Sequence, residues 1–495
     1  MKKPPAEGID RHTTAALHQM NPWWKGNAME QLPQTRRNLV RQIEKRFEYG
    51  LAPITVVRGS RQIGKTTACL HVISDLLQKG ISPKNILRIQ FDDIESFRIG
   101  KDPVLALVNW YQENVLNDTL NNVAAQGTLC YLFFDEIQNL DDWSTQLKFL
   151  VDHNTVTAVV TGSSALRIEL GRDSLAGRIN TIEVGTLSLT EIGRIRNLPT
   201  PEPFLPDNGV AQLKQRAFWE DLLAYSRAHQ DFIDEVFEAF SERGAYPIAH
   251  LRAGAPWELV ADQLNETVIK RVIQHDLRLG EKGRKRDPQL LEELFRLCCR
   301  YAGQSPSITK LTQEIQAVLS ANIGPLRVRT YLKFLSDTLL IRLVQPLEIR
   351  LKKKKNDPKI CLADHGLRSS WLQEHIPLVF ESDDANQDLS TLAGFLAESI
   401  VGAMFTSIGG LDLSHLPAKN KEPEVDFVLS IGDQRIPIEV KYRNSIKREH
   451  YTGLQDFIAK PINRAPFGIL ITKNESPSMD ERIIAIPLKN LLILR

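Results

Sequence analysis

The chain has 495 residues, 42% of them apolar and 25% charged, with a formal net charge of +2. That length suggests about three domains, each able to bury its own core, and the ordinary balance of residue types excludes a disordered chain. A net charge so near zero excludes a polycation, so any nucleic-acid surface must be local.

The five cysteines (Cys69, Cys130, Cys298, Cys299 and Cys361) sit in apolar stretches without C-x-x-C spacing. This predicts reduced, buried thiols in a cytoplasmic protein rather than a disulfide framework or a zinc site. The basic start lacks an apolar h-region, and no run reaches about 18 uninterrupted apolar residues, so neither secretion nor membrane spanning is expected.

Residues 1–50 read as a helical arm. The pair in "NPWW" (Asn21–Trp24) either packs this arm onto a core or covers a nucleotide base. Leu39, Ile43 and Phe47 follow with helical spacing, leaving Arg36, Arg37, Arg41 and Lys45 on a solvated face.

The β-branched run Ile54–Val57 leads into "GSRQIGKTT", which fits G-x-x-x-x-G-K-[ST], and then into a helical pattern. Gly59 and Gly64 let backbone N–H groups turn toward phosphates, and the helix that follows adds its N-terminal partial charge. Lys65 would reach the β- and γ-phosphates of ATP, Thr66 would ligate Mg²⁺, and Thr67 would complete the phosphate-binding set. The plain alternative is a glycine-rich turn. Further on, the apolar run Tyr131–Phe134 ends in Asp135-Glu136. In a parallel sheet that end lies at the same edge as the phosphate loop, so Asp135 would hold the Mg²⁺ shell and Glu136 would polarise an attacking water. A simple strand terminus is the other reading.

"TAVVTGSSAL" is a third apolar strand. It ends in Thr161-Gly162-Ser163-Ser164, whose small hydroxyl residues would either contact the γ-phosphate or the lytic water or cap a tight turn. Arg172 and Arg178 precede the next strand, and an arginine there would complete a neighbouring subunit's ATP site, which implies a homo-oligomer.

From about 196 to 287 the pattern turns helical, after the proline-rich "NLPTPEPFLPDNG". Residues 288–378 suggest three helices and then two β-rich runs around a lysine-rich turn, the pattern of a winged helix. Its recognition helix would present Arg327, Arg329 and Lys333 to DNA, and its turn holds Lys352, Lys353, Lys354 and Lys355. Such a run is either a solvated loop or a wing on phosphates. Winged helices also dock proteins, so a protein partner stands beside DNA.

Near the C-terminus, Glu398 is the one charged side chain between Thr391 and Thr406. Asp426 lies in an alternating strand, and after a Gly432-Asp433 turn Glu439 and Lys441 project from one face of the next. Asp426 and Glu439, with the Val440 carbonyl, would hold Mg²⁺, while Lys441 would orient the attacking water and Glu398 would complete the acid cluster. Read alone, the hairpin could equally face water.

The segments "RGSRQIGKTT", "FFDEIQ", "TGSSALRI" and "LAGRINTIEV" together resemble an AAA+ ATPase. With "GAYPIAH", "DPKICLADHGL", "EVDFVLS" and "PIEVKYR", the chain resembles the bacterial and archaeal AAA+ family that carries a C-terminal domain long described as of unknown function. The resemblance implies a sensor-like role for Ser163 or Ser164 and an arginine-finger role for Arg178. The helix with Glu398 and the strands with Asp426 and Glu439-x-Lys441 resemble the PD-(D/E)XK restriction-endonuclease-like fold, with Val425 where that motif has proline.

The expected fold is therefore a multidomain α/β chain: an arm (1–50), an AAA+ parallel-sheet core (51–195), a helical lid or connector (196–287), a winged helix (288–378) and a nuclease-like domain (379–495). The expected activity is ATP hydrolysis with DNA binding and Mg²⁺-dependent cutting, suited to genome defence or mobile-element biology. The alternative is an ATP-driven switch whose nuclease-like domain only binds partners. A small-molecule kinase fits Asp135-Glu136 and the large C-terminal half less well.

Overall fold

The computed structural model describes residues 9–29, 31–91, 97, 101–162, 174–205, 209–276, 287–320, 322–348, 357–380, 387–418 and 423–495. They divide into two compact units, 1–184 and 185–495. Ser163, Arg172 and Lys352, Lys353, Lys354 and Lys355 lie outside the described residues.

The first unit is built on a five-stranded sheet of β1 (Ile54–Gly59), β2 (Ile86–Gln90), β3 (Tyr131–Asp135), β4 (Thr157–Gly162) and β5 (Ile179–Val184). The strand order is β2-β3-β4-β1-β5, with every pairing parallel. Parallel strands are covered on both faces, which is why these runs are nearly continuous in Ile, Val, Leu and Phe. Helices α1 (Arg11–Met20), α2 (Asn38–Tyr49), α3 (Lys65–Gln78), α4 (Pro103–Tyr111) and α5 (Trp143–His153) supply the cover. The main core joins Leu17 of α1 and Leu107 and Tyr111 of α4 to Val56, Leu87, Leu132 and Val160 from the strands.

The arm lies along β2, the edge of this sheet. Buried Asn21 donates to Arg88 O at 2.8 Å, and its Oδ1 accepts from Arg88 N at 2.7 Å. The indoles of Trp23 and Trp24 both donate to Ile86 O, at 3.1 and 2.8 Å. The tryptophan pair therefore packs the arm, the first of the two uses its sequence allowed.

The second unit contains α6 (Pro288–Arg300), α7 (Ile308–Leu319) and α8 (Pro325–Asp337), followed by β6 (Ile341–Pro346) and β7 (Lys359–Leu362). Helix α9 (Gln387–Thr406) precedes β8 (Asp412–Leu416), β9 (Val425–Ile431), β10 (Gln434–Lys441), β11 (Gly468–Thr472) and β12 (Ile483–Pro487). The strands form one mixed sheet in the order β12-β11-β10-β9-β8-β6-β7. The two strands expected around a wing do pair antiparallel, Ile341 with Leu362, but β6 also runs parallel to β8 through Gln345 and Pro346. They thus join the sheet that carries Asp426 and Glu439.

Helix α9 is long and apolar enough to cross a membrane by composition, with a mean hydropathy of 1.4 over Asp388–Thr406. Its Ala393, Leu396, Ala397, Val401 and Phe405 are instead buried in the core beside Phe427, Ile436 and Ile469. Two glycines allow its close approach to β7. Gly303 has φ +80°, and a Cβ there would strike the Phe395 carbonyl and come within 3.2 Å of Glu398 Cβ. A Cβ on Gly402 would collide with Cys361 Sγ and lie 2.9 Å from the Phe427 ring. Close helix–strand contact is what brings Glu398 down to the sheet.

Candidate functional site

In the first unit, β1 runs into the glycine-bracketed loop and α3 begins at Lys65. Gln62 (φ 57°) and Gly64 (φ 88°) are left-handed, which turns successive backbone N–H groups to one side and makes an anion-binding concavity. Gly59 has no room for a side chain, since a Cβ there would lie 2.9 Å from Val184 O and strike Ile63. Lys65 is 4% exposed and donates to the carbonyls of Gly59 (3.0 Å) and Ser60 (2.8 Å). Its Nζ lies 3.9 Å from Glu136 Oε1.

The acidic pair sits at the end of β3. Because β4 lies between β3 and β1, the end of β4 falls beside both, and Thr161 is the residue placed there. The Thr161 hydroxyl donates to Asp135 Oδ1 and accepts the Glu136 N–H at 3.2 Å. Arg88 reaches Asp135 Oδ2 at 3.4 Å from the other side, and Glu136 holds a left-handed φ of 52°. Gln138 donates to Glu136 Oε2 at 2.5 Å.

Asp135 is thus pinned by two neighbours, while Glu136 and Lys65 face one another across the loop. The donor set of Thr66 and Asp135 suits Mg²⁺, a hard cation that takes oxygen ligands and shares the phosphates. A cavity of about 520 Å³ opens beside Thr66, lined by Met20, Trp23, Leu70, Arg88 and Gln90 among others.

The sequence marks Thr161 only as a hydroxyl at the strand edge, not as the partner of Asp135 and Glu136, and Arg88 was missed. The signal for Arg88 was an arginine inside the apolar run "ILRIQ", a residue seldom buried without a partner. Arg178 lies just before β5, where Asp152 of the same chain accepts from it at 2.5 and 3.0 Å; it is about a third exposed.

In the second unit, Glu398 of α9, Asp426 of β9 and Glu439 and Lys441 of β10 converge, as their ordering suggested. A fifth residue binds Glu398 and Asp426, and the sequence reading had passed over it. Lys359, the first residue of β7, places Nζ 2.9 Å from Glu398 Oε2 and 2.8 Å from Asp426 Oδ1, with Glu424 Oε1 at 3.6 Å. Its signal was a lysine opening the apolar strand "KICL". Asp426 Oδ2 accepts the Val440 N–H at 2.9 Å, and Lys441 pairs with Glu439 Oε1. Glu439 Oε2 is buried with no hydrogen-bond partner.

Burial shapes the proton affinities here, and neighbouring charges decide their direction. Burial opposes charge on Lys359, but Asp426, Glu398 and Glu424 overcome it and hold its pKa well above the usual lysine value. Burial likewise works to raise Asp426, yet Lys359 and Lys441 keep it below the usual carboxylate value. Glu439 goes the other way, pushed up to about 8 by burial and then by the Asp426 charge. Glu398 is also raised by burial and by Asp426, against the pull of Lys359.

The carboxylate oxygens and the orphaned Glu439 Oε2 fit a hard divalent cation. Among the described residues, though, no group of three His, Cys, Asp or Glu side chains is placed to hold a metal, and Lys359 bridges Glu398 and Asp426. Arg327, Arg329 and Lys333 are exposed on α8, while Val328, Tyr331, Leu332 and Leu335 of the same helix are buried.

A parallel sheet with a phosphate loop after β1 and an acidic pair at the end of β3 defines a P-loop ATP-binding domain. Residues 52–193 match the family model described as an AAA domain, which supports ATP binding and hydrolysis by this segment. Residues 234–375 and 393–491 match two domains of unknown function, DUF8612 and DUF4143. The chain is 23% identical over 480 residues to the uncharacterized protein MJ1637 of Methanocaldococcus jannaschii, covering 92% of this chain and 88% of that one. It is 21% identical over 448 residues to an uncharacterized protein of Mycobacterium tuberculosis, covering 89% of this chain and 81% of the relative. Among solved structures, the Walker-type ATPase paby2304 of Pyrococcus abyssi aligns at 16% identity with a TM-score of 0.38. That alignment covers 69% of this chain and 98% of the other.

Proposed function

We propose that the protein hydrolyses ATP and acts on DNA through a Mg²⁺-dependent phosphodiester-cutting centre in its second unit. The observation that carries this reading is the convergence of Glu398, Asp426, Glu439 and Lys441, from one helix and two adjacent strands, on one buried centre.

At the ATP site, Lys65 would leave its loop carbonyls to meet the β- and γ-phosphates, and Thr66 with Asp135 would hold Mg²⁺, which would neutralise charge on those phosphates. Glu136 polarises the attacking water, its backbone fixed by Thr161. Arg178 serves as the finger for a neighbouring copy once it leaves Asp152.

In the second unit, Asp426 and Glu439 with the Val440 carbonyl would hold the divalent ion, which supplies Lewis acidity at the scissile phosphate when bound. Lys441, paired with Glu439, orients the attacking water and offsets charge building on the phosphate. Residues 288–378 act as a winged helix that lays the exposed Arg327, Arg329 and Lys333 of α8 on DNA. The protein works in the cytoplasm.

Plasmid and linear DNA incubated with the protein, with and without Mg²⁺ and ATP, test this reading. Asp426→Ala and Lys441→Ala should each remove Mg²⁺-dependent cutting while leaving ATP turnover. DNA left intact by the wild type under every condition, with ATPase activity present, would instead establish a second reading. In that reading the chain is an ATP-driven switch whose carboxylate centre is structural, and the observation favouring it is the ion pairing of Lys359 with Glu398 and Asp426.

A further inference from the structure

The carboxylate centre carries a cation of its own. An ammonium group has three N–H donors, and three carboxylates surround Lys359 Nζ: Asp426 at 2.8 Å, Glu398 at 2.9 Å and Glu424 at 3.6 Å. The lysine side chain is 2% exposed, and its Nζ lies 5.1 Å from the centroid of the Phe427 ring. A lysine this deep is costly unless opposite charges compensate it, and these acids do so. Any metal ion seated between Glu398 and Asp426 would have to displace it.

The other side of the centre leaves an acceptor unsatisfied. Glu439 Oε2 is buried without a hydrogen-bond partner. Asp426 Oδ2 accepts the Val440 N–H, and a carboxylate oxygen has a second lone pair to offer. Lys441 is engaged with the opposite oxygen of Glu439, Oε1. Acceptors thus remain on Asp426 and Glu439, and they suffice for one hard cation.

We propose that Lys359 takes the place of a second divalent ion, so that the centre binds one metal ion, held by Asp426 and Glu439, beside a tethered ammonium. This inference rests on the metal-dependent reading above and specifies its stoichiometry. Lys359 is a positioning residue in this scheme. It holds Glu398 and Asp426 in place through charge, while Gly303 and Gly402 let α9 come near enough for the pairing.

The test is a Mn²⁺ titration of the full chain without nucleotide, with free Mn²⁺ read by electron paramagnetic resonance. Wild type should bind one ion that is lost in Asp426→Asn. Lys359→Met should bind two, and both should be lost when Asp426→Asn is added. Lys359→Gln keeps an amide donor toward Glu398 and serves if the methionine variant does not fold. One ion in wild type and still one in a folded Lys359 variant would overturn the proposal while leaving metal dependence standing. Two Asp426-dependent ions in wild type would overturn it as well. If wild type binds no Asp426-dependent ion, the metal-dependent reading itself fails, and the proposal with it.

Discussion

Lys65 and Lys359 are both almost fully buried lysines, held in opposite ways. Lys65 donates to carbonyls five and six residues before it, within one loop. Lys359 is held by carboxylates 39 and 67 residues further along the chain. Lys65 donates to two neutral carbonyls and meets Glu136 only at 3.9 Å, so its ammonium can be handed to phosphate without breaking a tight buried ion pair. The partners of Lys359 are charged and buried, so neither side can leave without uncovering the other. A lysine meant to meet a ligand and a lysine meant to hold a centre together are distinguished by what they give up on moving.

The sharpest way to break this comparison is at Lys65. Lys65→Ala should lower ATP turnover by more than about 100-fold, the scale of losing a positioned cation at developing charge, with little change in melting temperature. Unchanged turnover in a steady-state ATPase assay would remove the basis for treating this loop as a phosphate site.

The converse is expected in the second unit. Asp426→Ala should destabilise it by about 3–5 kcal/mol, because Lys359 is left buried with its closest partner gone. Glu424→Gln should cost less than about 1 kcal/mol, since Glu424 is half exposed and more distant. Urea unfolding of the two variants beside wild type measures the contrast. Equal losses would mean that Lys359 is held by packing rather than by Asp426.

A smaller effect is expected from acid. Burial, followed by the charges of Arg196, Arg243 and His365, lowers the His250 pKa to about 4, against the opposing hydrogen bond with Gly244. Arg196 donates to its Nδ1 at 3.1 Å, and Nε2 lies 2.8 Å from Gly244 O, an arrangement that needs the neutral ring. With the folded pKa below the unfolded value of about 6.5, the unfolded chain takes up the proton first as pH falls. The contribution is intact above about pH 6.5 and is lost progressively toward pH 4, on the order of 1–3 kcal/mol. His250→Gln should flatten that limb of the stability profile, and an unaltered slope would exclude His250 as its source.

The same contrast explains how far the sequence could be read. A phosphate loop is local: "GSRQIGKTT" specifies both its residues and its backbone turns, and the apolar run ending in Asp135-Glu136 needs only a parallel sheet to reach it. Glu398, Asp426, Glu439 and Lys441 were legible as an ordered set because helix and strand periodicities place them on defined faces. Lys359 was not, since nothing near it in sequence demands a carboxylate, and its partners arrive only when α9 packs on the sheet that carries Asp426. Thr161 was legible only as one of three hydroxyl residues at a strand end, and only the placement of β4 between β3 and β1 makes it the partner of the acidic pair. Strands β6 and β7 illustrate the same limit. Two short runs around a polar turn predict a pair, but not the continuation of that pair into β8 through Gln345 and Pro346.

The arm along β2 has a consequence beyond packing. An outermost strand with free amides and carbonyls is a template on which another chain's strand can register. At Arg88 the side chain of Asn21 supplies both a donor and an acceptor, as a passing peptide unit would, and the two indoles occupy the carbonyl of Ile86. The arm is thus a surrogate strand made of side chains, able to satisfy this border at those positions without offering a border of its own. Sheet growth stops there, and copies of this unit that assemble must meet through surfaces other than β2.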